Sequence, residues 1–252
     1  MIARKIHRLL AGLVLAVFTA LPAGAASPTE GSWTVRPSET PGKVQVTFVY
    51  GHSTQSSDWN AADLKGLQLT PAEKHDAHFT LDRDAGRVEG DGVSASGTAA
   101  GSFRFTPEPH YADEMRKLGL GEVNPDALLS FALHDVSVTY AREMSALNIG
   151  VLSAEELLAF RIHGVDPAFV KGLHAAGSQP HADELIAFRI HGVTPDYVTA
   201  IRKLGYDTPG PGQLIAMRIH GVTPEYIASV KSKGVRDTSL NQLIAMKIQG
   251  ID

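Results

Sequence analysis

The chain has 252 residues, no cysteine and a formal net charge of -4. The missing cysteines exclude a disulfide framework, a thiolate nucleophile and a thiolate metal site. The acidic balance argues against nucleic acid and anionic lipid as partners, because phosphate binding needs a basic patch.

Arg4, Lys5 and Arg8 precede an uncharged apolar run at residues 9–21, and Pro22 and Ala23-Gly24-Ala25-Ala26 follow it. A basic start, an apolar stretch and small residues at the end form the pattern of a cleaved export signal over residues 1–26. The run of 13 residues falls short of the roughly 20 that a membrane span needs. The leader has no cysteine to carry a lipid anchor. The expectation is a periplasmic or secreted protein with no membrane insertion after cleavage. Its mature net charge is near -7, because the leader carries three basic residues.

Residues 27–106 read as a small antiparallel β-sheet. Trp33 and Val35 alternate with polar neighbours, as do Val44, Val46, Phe48 and Tyr50 in KVQVTFVY, Phe79 with Leu81, and Phe103 with Phe105. Period-two patterning predicts half-buried strands with one apolar face. Gly86, Gly90, Gly92, Gly97 and Gly101 read as turn markers. SSDWNAADLKGL has room for a short helical turn. DRDAGRVEGDG is acidic and glycine-rich, but it lacks the spaced ligands and closing glutamate of a calcium loop, so it reads as a hairpin turn.

Residues 107–252 are repetitive. The aromatic positions Tyr111, Tyr140, Phe169, Tyr197 and Tyr226 are 29, 29, 28 and 29 residues apart. Gly164-Val165, Gly192-Val193, Gly221-Val222 and Gly250-Ile251 keep the same step. A fixed period of this length signals a repeat array. Each unit reads as two short helices. Thr194 supplies an N-cap and Pro195 a first helical residue. Tyr197, Val198, Ile201 and Leu204 form one apolar stripe. Gly205 fits a left-handed C-cap, as do Gly119, Asn148, Gly177 and Gly234. The second helix has Asn124, Ser153, His181, Gly210 or Ser239 at its N-cap, with capping boxes at Ser153/Glu156 and Ser239/Gln242. Helices of about ten residues are not stable alone in water. The predicted fold is therefore α+β: the small sheet, then an α-solenoid of about five helical hairpins. Leu214, Ile215, Met217 and Ile219 surround most of one second helix, and neighbours are expected to cover it on several sides.

Two polar rows run through the repeats. His134, His163, His191 and His220 close the second helices, with Gln249 in the last unit. Helix capping explains this row better than metal ligation, since glutamine donates the same hydrogen bond but is a poor ligand. Arg161, Arg189, Arg218 and Lys247 form the second row, with Ala132 in the first unit. Bridges to Asp166, Asp196 and Glu225 are its expected role. Arg142, Arg202, Lys203 and Lys231 read as a solvated face. If a ligand-binding surface exists on the array, its candidate residues are Arg161, Arg189, Arg218, Arg202 and Lys203. No HExxH, GxSxG or phosphate-loop motif is present, and His52, His75, His78 and His110 lack metal-pair spacing. No catalytic residue, cofactor or metal is therefore expected.

LIAFRIHGVTPDYVTAIRKLGY and LIAMRIHGVTPEYIASVKSKGV resemble the extracytoplasmic C-terminal repeats of beta-lactam-sensor (BlaR-like) membrane metallopeptidases and of related exported bacterial proteins. The resemblance spans residues 107–252 and extends weakly into TPGKVQVTFVYG. It implies a sensing or binding role near the cell envelope; the peptidase zinc motif is absent, so no catalysis is implied. The expected function is a noncatalytic scaffold for a protein partner, an envelope protein. The competing expectations are a glycan or peptidoglycan binder using Trp33, Trp59 or Tyr50, and an enzyme with its site in the sheet or at the junction with the array.

Overall fold

The computed structural model describes residues 29–70, 74–207, 209–235 and 237–251. The export-signal reading lies outside them. Among the described residues, no helix is long and apolar enough to cross a membrane.

The first part is one six-stranded antiparallel sheet. Its strands are β1 (Thr29–Pro37), β2 (Lys43–Tyr50), β3 (Ser53–Asn60), β4 (His75–Arg83), β5 (Gly86–Ala95) and β6 (Thr98–Pro107). The order across the sheet is β3-β2-β1-β6-β5-β4. Two three-stranded meanders thus meet where β1 pairs with β6, with Trp33 opposite Gly101. The link from β3 at one edge to β4 at the other carries a 3₁₀ turn at Ala61–Asp63 and the buried Leu64. It also bridges β4 through Lys65 and Thr80.

The alternating apolar residues share the inner face, where Trp33, Phe48, Phe79 and Phe103 meet edge to face at 5.0–6.4 Å between ring centres. Such aromatic pairs add to the stabilisation from burial alone. The glycines depart from the turn reading. Gly86, Gly90, Gly92 and Gly101 lie within β5 and β6, and only Gly97 sits in a turn. A Cβ at Gly90 would come within 2.1 Å of the Phe79 ring. Glycine is needed there so that the ring can lie against the neighbouring strand.

Among the described residues, ten α-helices follow: α1 (Tyr111–Lys117), α2 (Leu128–Leu133), α3 (Val138–Ser145), α4 (Ala154–Ile162), α5 (Pro167–Ala175), α6 (Ala182–His191), α7 (Pro195–Lys203), α8 (Pro211–Ile219), α9 (Pro224–Ser232) and α10 (Leu240–Ile248). Of the sequence-read N-caps, Thr194 accepts from the Tyr197 amide at 3.1 Å and Ser153 and Ser239 make capping boxes, whereas the His181 and Gly210 positions make no side-chain cap bond. Asn124 instead opens a 3₁₀ turn, Pro125–Ala127, that leads into the short α2. Odd helices pack on odd ones, α1 on α3 through to α7 on α9. Even helices do the same, α4 on α6, α6 on α8 and α8 on α10.

The sheet and the helices share one apolar core. Helix α2 packs on β5 and β6. Polar contacts fix this junction: the Val138 amide donates to Asp84 at 2.9 Å, and the Tyr50 and Ser130 hydroxyls lie 3.0 Å apart. Asp135 pairs with Arg83 at 3.3 Å and with Arg161 at 3.0 Å, so one carboxylate ties the sheet to α4.

Candidate functional site

The candidate binding residues Arg161, Arg189 and Arg218 lie on α4, α6 and α8, and Arg202 and Lys203 on the last turn of α7. The last carbonyls of a helix have no partner within it and carry its negative dipole end. Arg161 Nε donates to the carbonyl of His134, which caps α2, at 2.9 Å. Arg218 Nε donates to the His191 carbonyl, on the last residue of α6, at 3.2 Å. The odd helices repeat the device. Arg202 Nη1 donates to the Ala176 carbonyl at the end of α5 at 2.8 Å, and Lys231 Nζ to the Leu204 carbonyl at the end of α7. Arg202 is exposed and Lys231 half-buried, and each also caps the preceding odd helix. Lys203 is exposed.

The Arg row also covers an aromatic row. Arg161 stands 5.0 Å from the Tyr140 ring centre, Arg218 5.0 Å from Tyr197, Lys247 4.3 Å from Tyr226 and Arg189 3.8 Å from Phe169. These distances are within cation–π range. The hydroxyls of Tyr111, Tyr140 and Tyr197 donate to the carbonyls of Val136, Val165 and Val222 at 2.7 Å, and that of Tyr226 to Ile251 at 2.8 Å. Phe169 has no hydroxyl to donate, and there Arg189 sits closest to the ring and pairs with Asp166 at 3.6 Å. The expected acid bridges are thus only partly formed. Asp166 pairs with Arg189, not with Arg161, which uses Asp135, and Arg218 bonds a carbonyl in place of Glu225.

Two glycines make room for these cations. At Gly177 a Cβ would come within 2.1 Å of Arg202, and at Gly192 within 2.8 Å of Arg218. Both have positive φ, 87° and 70°, so they end their helices in the left-handed region and clear a path for the guanidinium.

The His row sits at the helix ends, as read. Among the described residues, however, no hydrogen bond from these imidazoles to the last carbonyls is formed. At α2 and α6 the next unit's arginine donates to the end carbonyl instead, whereas Arg189 Nε makes no hydrogen bond at the end of α4; among the described residues the side-chain capping role read for histidine is not seen. Burial, and then the Arg161 cation, lower the His134 pKa below the ordinary histidine value. Among the described residues, no group of three or more metal-ligating side chains converges. Trp33 lies inside the core. Trp59 and Tyr50 are half-buried, and Tyr50 is engaged with Ser130 and Gln55. On the sheet's outer face, Glu30 pairs with Arg104 at 2.6 Å and His78 with Asp91 at 2.8 Å around a shallow depression.

A further row escaped the sequence reading. Ile162, Ile190, Ile219 and Ile248 occupy one position of α4, α6, α8 and α10 and are 52%, 60%, 54% and 63% exposed. One turn earlier on each helix, Leu158, Ile186, Ile215 and Ile244 are half-buried. The cover on several sides expected for α8 is met in part: Leu214 and Met217 are buried, Ile215 is half-buried against the core and Ile219 is exposed. Scattered exposed aliphatics are ordinary; four in register, each backed by a second, make a continuous apolar ribbon. The available signal was a helix apolar over most of its circumference.

A scan against protein-family models, a search of curated proteins and a search of solved structures found no match to this chain.

Proposed function

We propose that the protein is an exported, noncatalytic scaffold that binds a protein partner at the cell envelope. In this reading residues 107–252 form an α-solenoid of five helical hairpins, α1–α2 through α9–α10, and the sheet of residues 27–106 closes its N-terminal end. The observation that carries the reading is the ribbon of exposed isoleucines in register on successive even helices. An array held together by repeated Arg, Lys and Tyr contacts keeps such a surface rigid, which lowers the entropic cost of binding. The similarity of the repeats to those of beta-lactam-sensor metallopeptidases, and the leader pattern, support the envelope setting. The glycan reading has less support, because Trp33 is in the core and Tyr50 is engaged at the junction.

The test is a photo-cross-linking residue placed at Ile190 in the full-length protein in its native envelope. The expected result is a discrete adduct with one protein. Retention on isolated glycan without any protein adduct, or turnover of a substrate by the purified chain, would contradict the reading.

A further inference from the structure

Closely matched repeats allow the last unit to be compared with those before it. Met217 on α8 and Met246 on α10 occupy one position, in LIAMRI and LIAMKI. Met217 is fully buried, whereas Met246 is half-buried. Earlier units fill this position with the buried Phe131, Phe160 and Phe188. A second position holds Leu120, Ile149, Ser178, Tyr206 and Val235. The first three are buried, and Val235 is 46% exposed. What reaches the inner units here is the start of the next unit's even helix. The Ala154 amide donates to the Leu120 carbonyl and the Ala182 amide to the Ile149 carbonyl, each at 3.0 Å. Among the described residues, no such helix follows α10. A cavity of about 470 Å³ lies there, lined by Val235, Asp237, Ala245, Met246 and Gln249 among others.

The helices that stack on a preceding unit share a signature. Leu157, Leu185, Leu214 and Leu243 are fully buried, and four residues after each comes Arg161, Arg189, Arg218 or Lys247. Residues four apart share one face of a helix. Arg161 and Arg218 reach from that face to the end of the preceding even helix, at the His134 and His191 carbonyls. The first unit breaks the pattern. There Leu128 is followed by the buried Ala132, and α2 packs on β5 and β6 in place of a preceding helix. Leucine with a cation four residues on therefore marks a helix that stacks on another unit.

We infer that the cavity beside α10 docks a helix of another polypeptide that carries leucine and, four residues on, arginine or lysine. The cavity offers both halves of the match. Val235, Ala245 and Met246 supply apolar surface for the leucine. Gln249 holds the position of His134 and His191, at the helix end where the dipole is negative. The exposed Asp237 adds a carboxylate to the same cavity, so the charge there suits a cation. A second folded copy has no such helix to give. Its four leucines of this kind are buried in its own array, and its first unit packs on the sheet. The inference rests on the repeat-array reading and adds a second surface, apart from the isoleucine ribbon.

The test uses a fluorescent synthetic peptide with the sequence of residues 210–222, GPGQLIAMRIHGV, held helical by a covalent bridge between positions 213 and 217. The bridge lies off the face formed by Leu214 and Arg218. A control peptide carries Leu214→Asn and Arg218→Gln. Fluorescence anisotropy reports binding to the full chain and to its variants Val235→Glu, Asp237→Lys and Ile190→Glu. All three positions are exposed, so thermal melts are expected to match the parent's. The expected result is binding of the first peptide only, weakened about tenfold or more by Val235→Glu and by Asp237→Lys and unchanged by Ile190→Glu. No binding, equal binding of the control, or binding that neither cavity variant weakens overturns the inference. So does binding lost only in Ile190→Glu, which puts the peptide on the ribbon. Self-association that Val235→Glu abolishes also overturns it, since a second copy is then the occupant. An Ile190 adduct with a protein, found alongside failure of the peptide, would leave the scaffold reading standing and remove only this inference.

Discussion

Tyr197 shows how one side chain joins the two helices of a unit, α7 and α8. Its ring takes the Arg218 cation on one face, and its hydroxyl holds the Val222 carbonyl at 2.7 Å. Burial pushes the phenol up to about 12, with Arg218 opposing. An unperturbed tyrosine titrates near 10. The fold thus holds the neutral phenol. Its contribution to stability is complete below pH ~10 and is lost as pH rises toward ~12. Tyr197→Phe removes the hydrogen bond and strands a carbonyl, at a cost of about 1–2 kcal/mol at neutral pH. Chemical denaturation at several pH values should show the gap between parent and variant closing across that alkaline window. A gap that stays constant would mean that the phenol does not titrate against the fold.

At the scale of the helix, the ends of α2, α5, α6 and α7 take a cap from a cation of the neighbouring unit. Arg218→Ala loses a hydrogen bond to the end of α6 and a cation over Tyr197. The expected cost is about 1–2 kcal/mol. His191→Ala removes an exposed imidazole with no described hydrogen bond and should stay within about 0.5 kcal/mol. Denaturant melts of the two variants distinguish this assignment from side-chain capping by histidine, which requires the larger loss at His191. The helix boundaries themselves were legible in the sequence. Thr194, Ser153 and Ser239 act within one turn, and Gly119, Asn148, Gly177, Gly205 and Gly234 all adopt positive φ as read. The inner strand residues were legible for the same reason, since alternation is local. The roles of Arg202 and Lys231 were not. Their acceptors, Ala176 and Leu204, are 26 and 27 residues away, and a carbonyl acceptor leaves no trace in residue type. β3 was missed as well. STQSSDWN is an edge strand, and its exposed side chains remove the alternation that marks a strand.

At the scale of the whole molecule, successive odd helices pack on one another, as do the even helices from α4 to α10, and the Arg161 bond to the His134 carbonyl links α4 to α2. The sheet anchors one end through Asp84, Asp135 and Ser130. In the proposed repeat array, stability comes from nearest-neighbour interfaces, so damage is expected to spread from its site. The exposed ribbon depends on that order, because its isoleucines stay in register only while successive even helices do. The direct measurement is hydrogen exchange on Leu214→Ala and Leu243→Ala, both truncations of fully buried leucines, in α8 and α10. Each should cost about 2–5 kcal/mol locally. The stack predicts that Leu214→Ala lowers protection across α6 to α10, that Leu243→Ala lowers it mainly in α9 and α10, and that the sheet keeps its protection in both. Equal loss of protection from β1 to α10 in both variants would contradict the stack and show one cooperative unit.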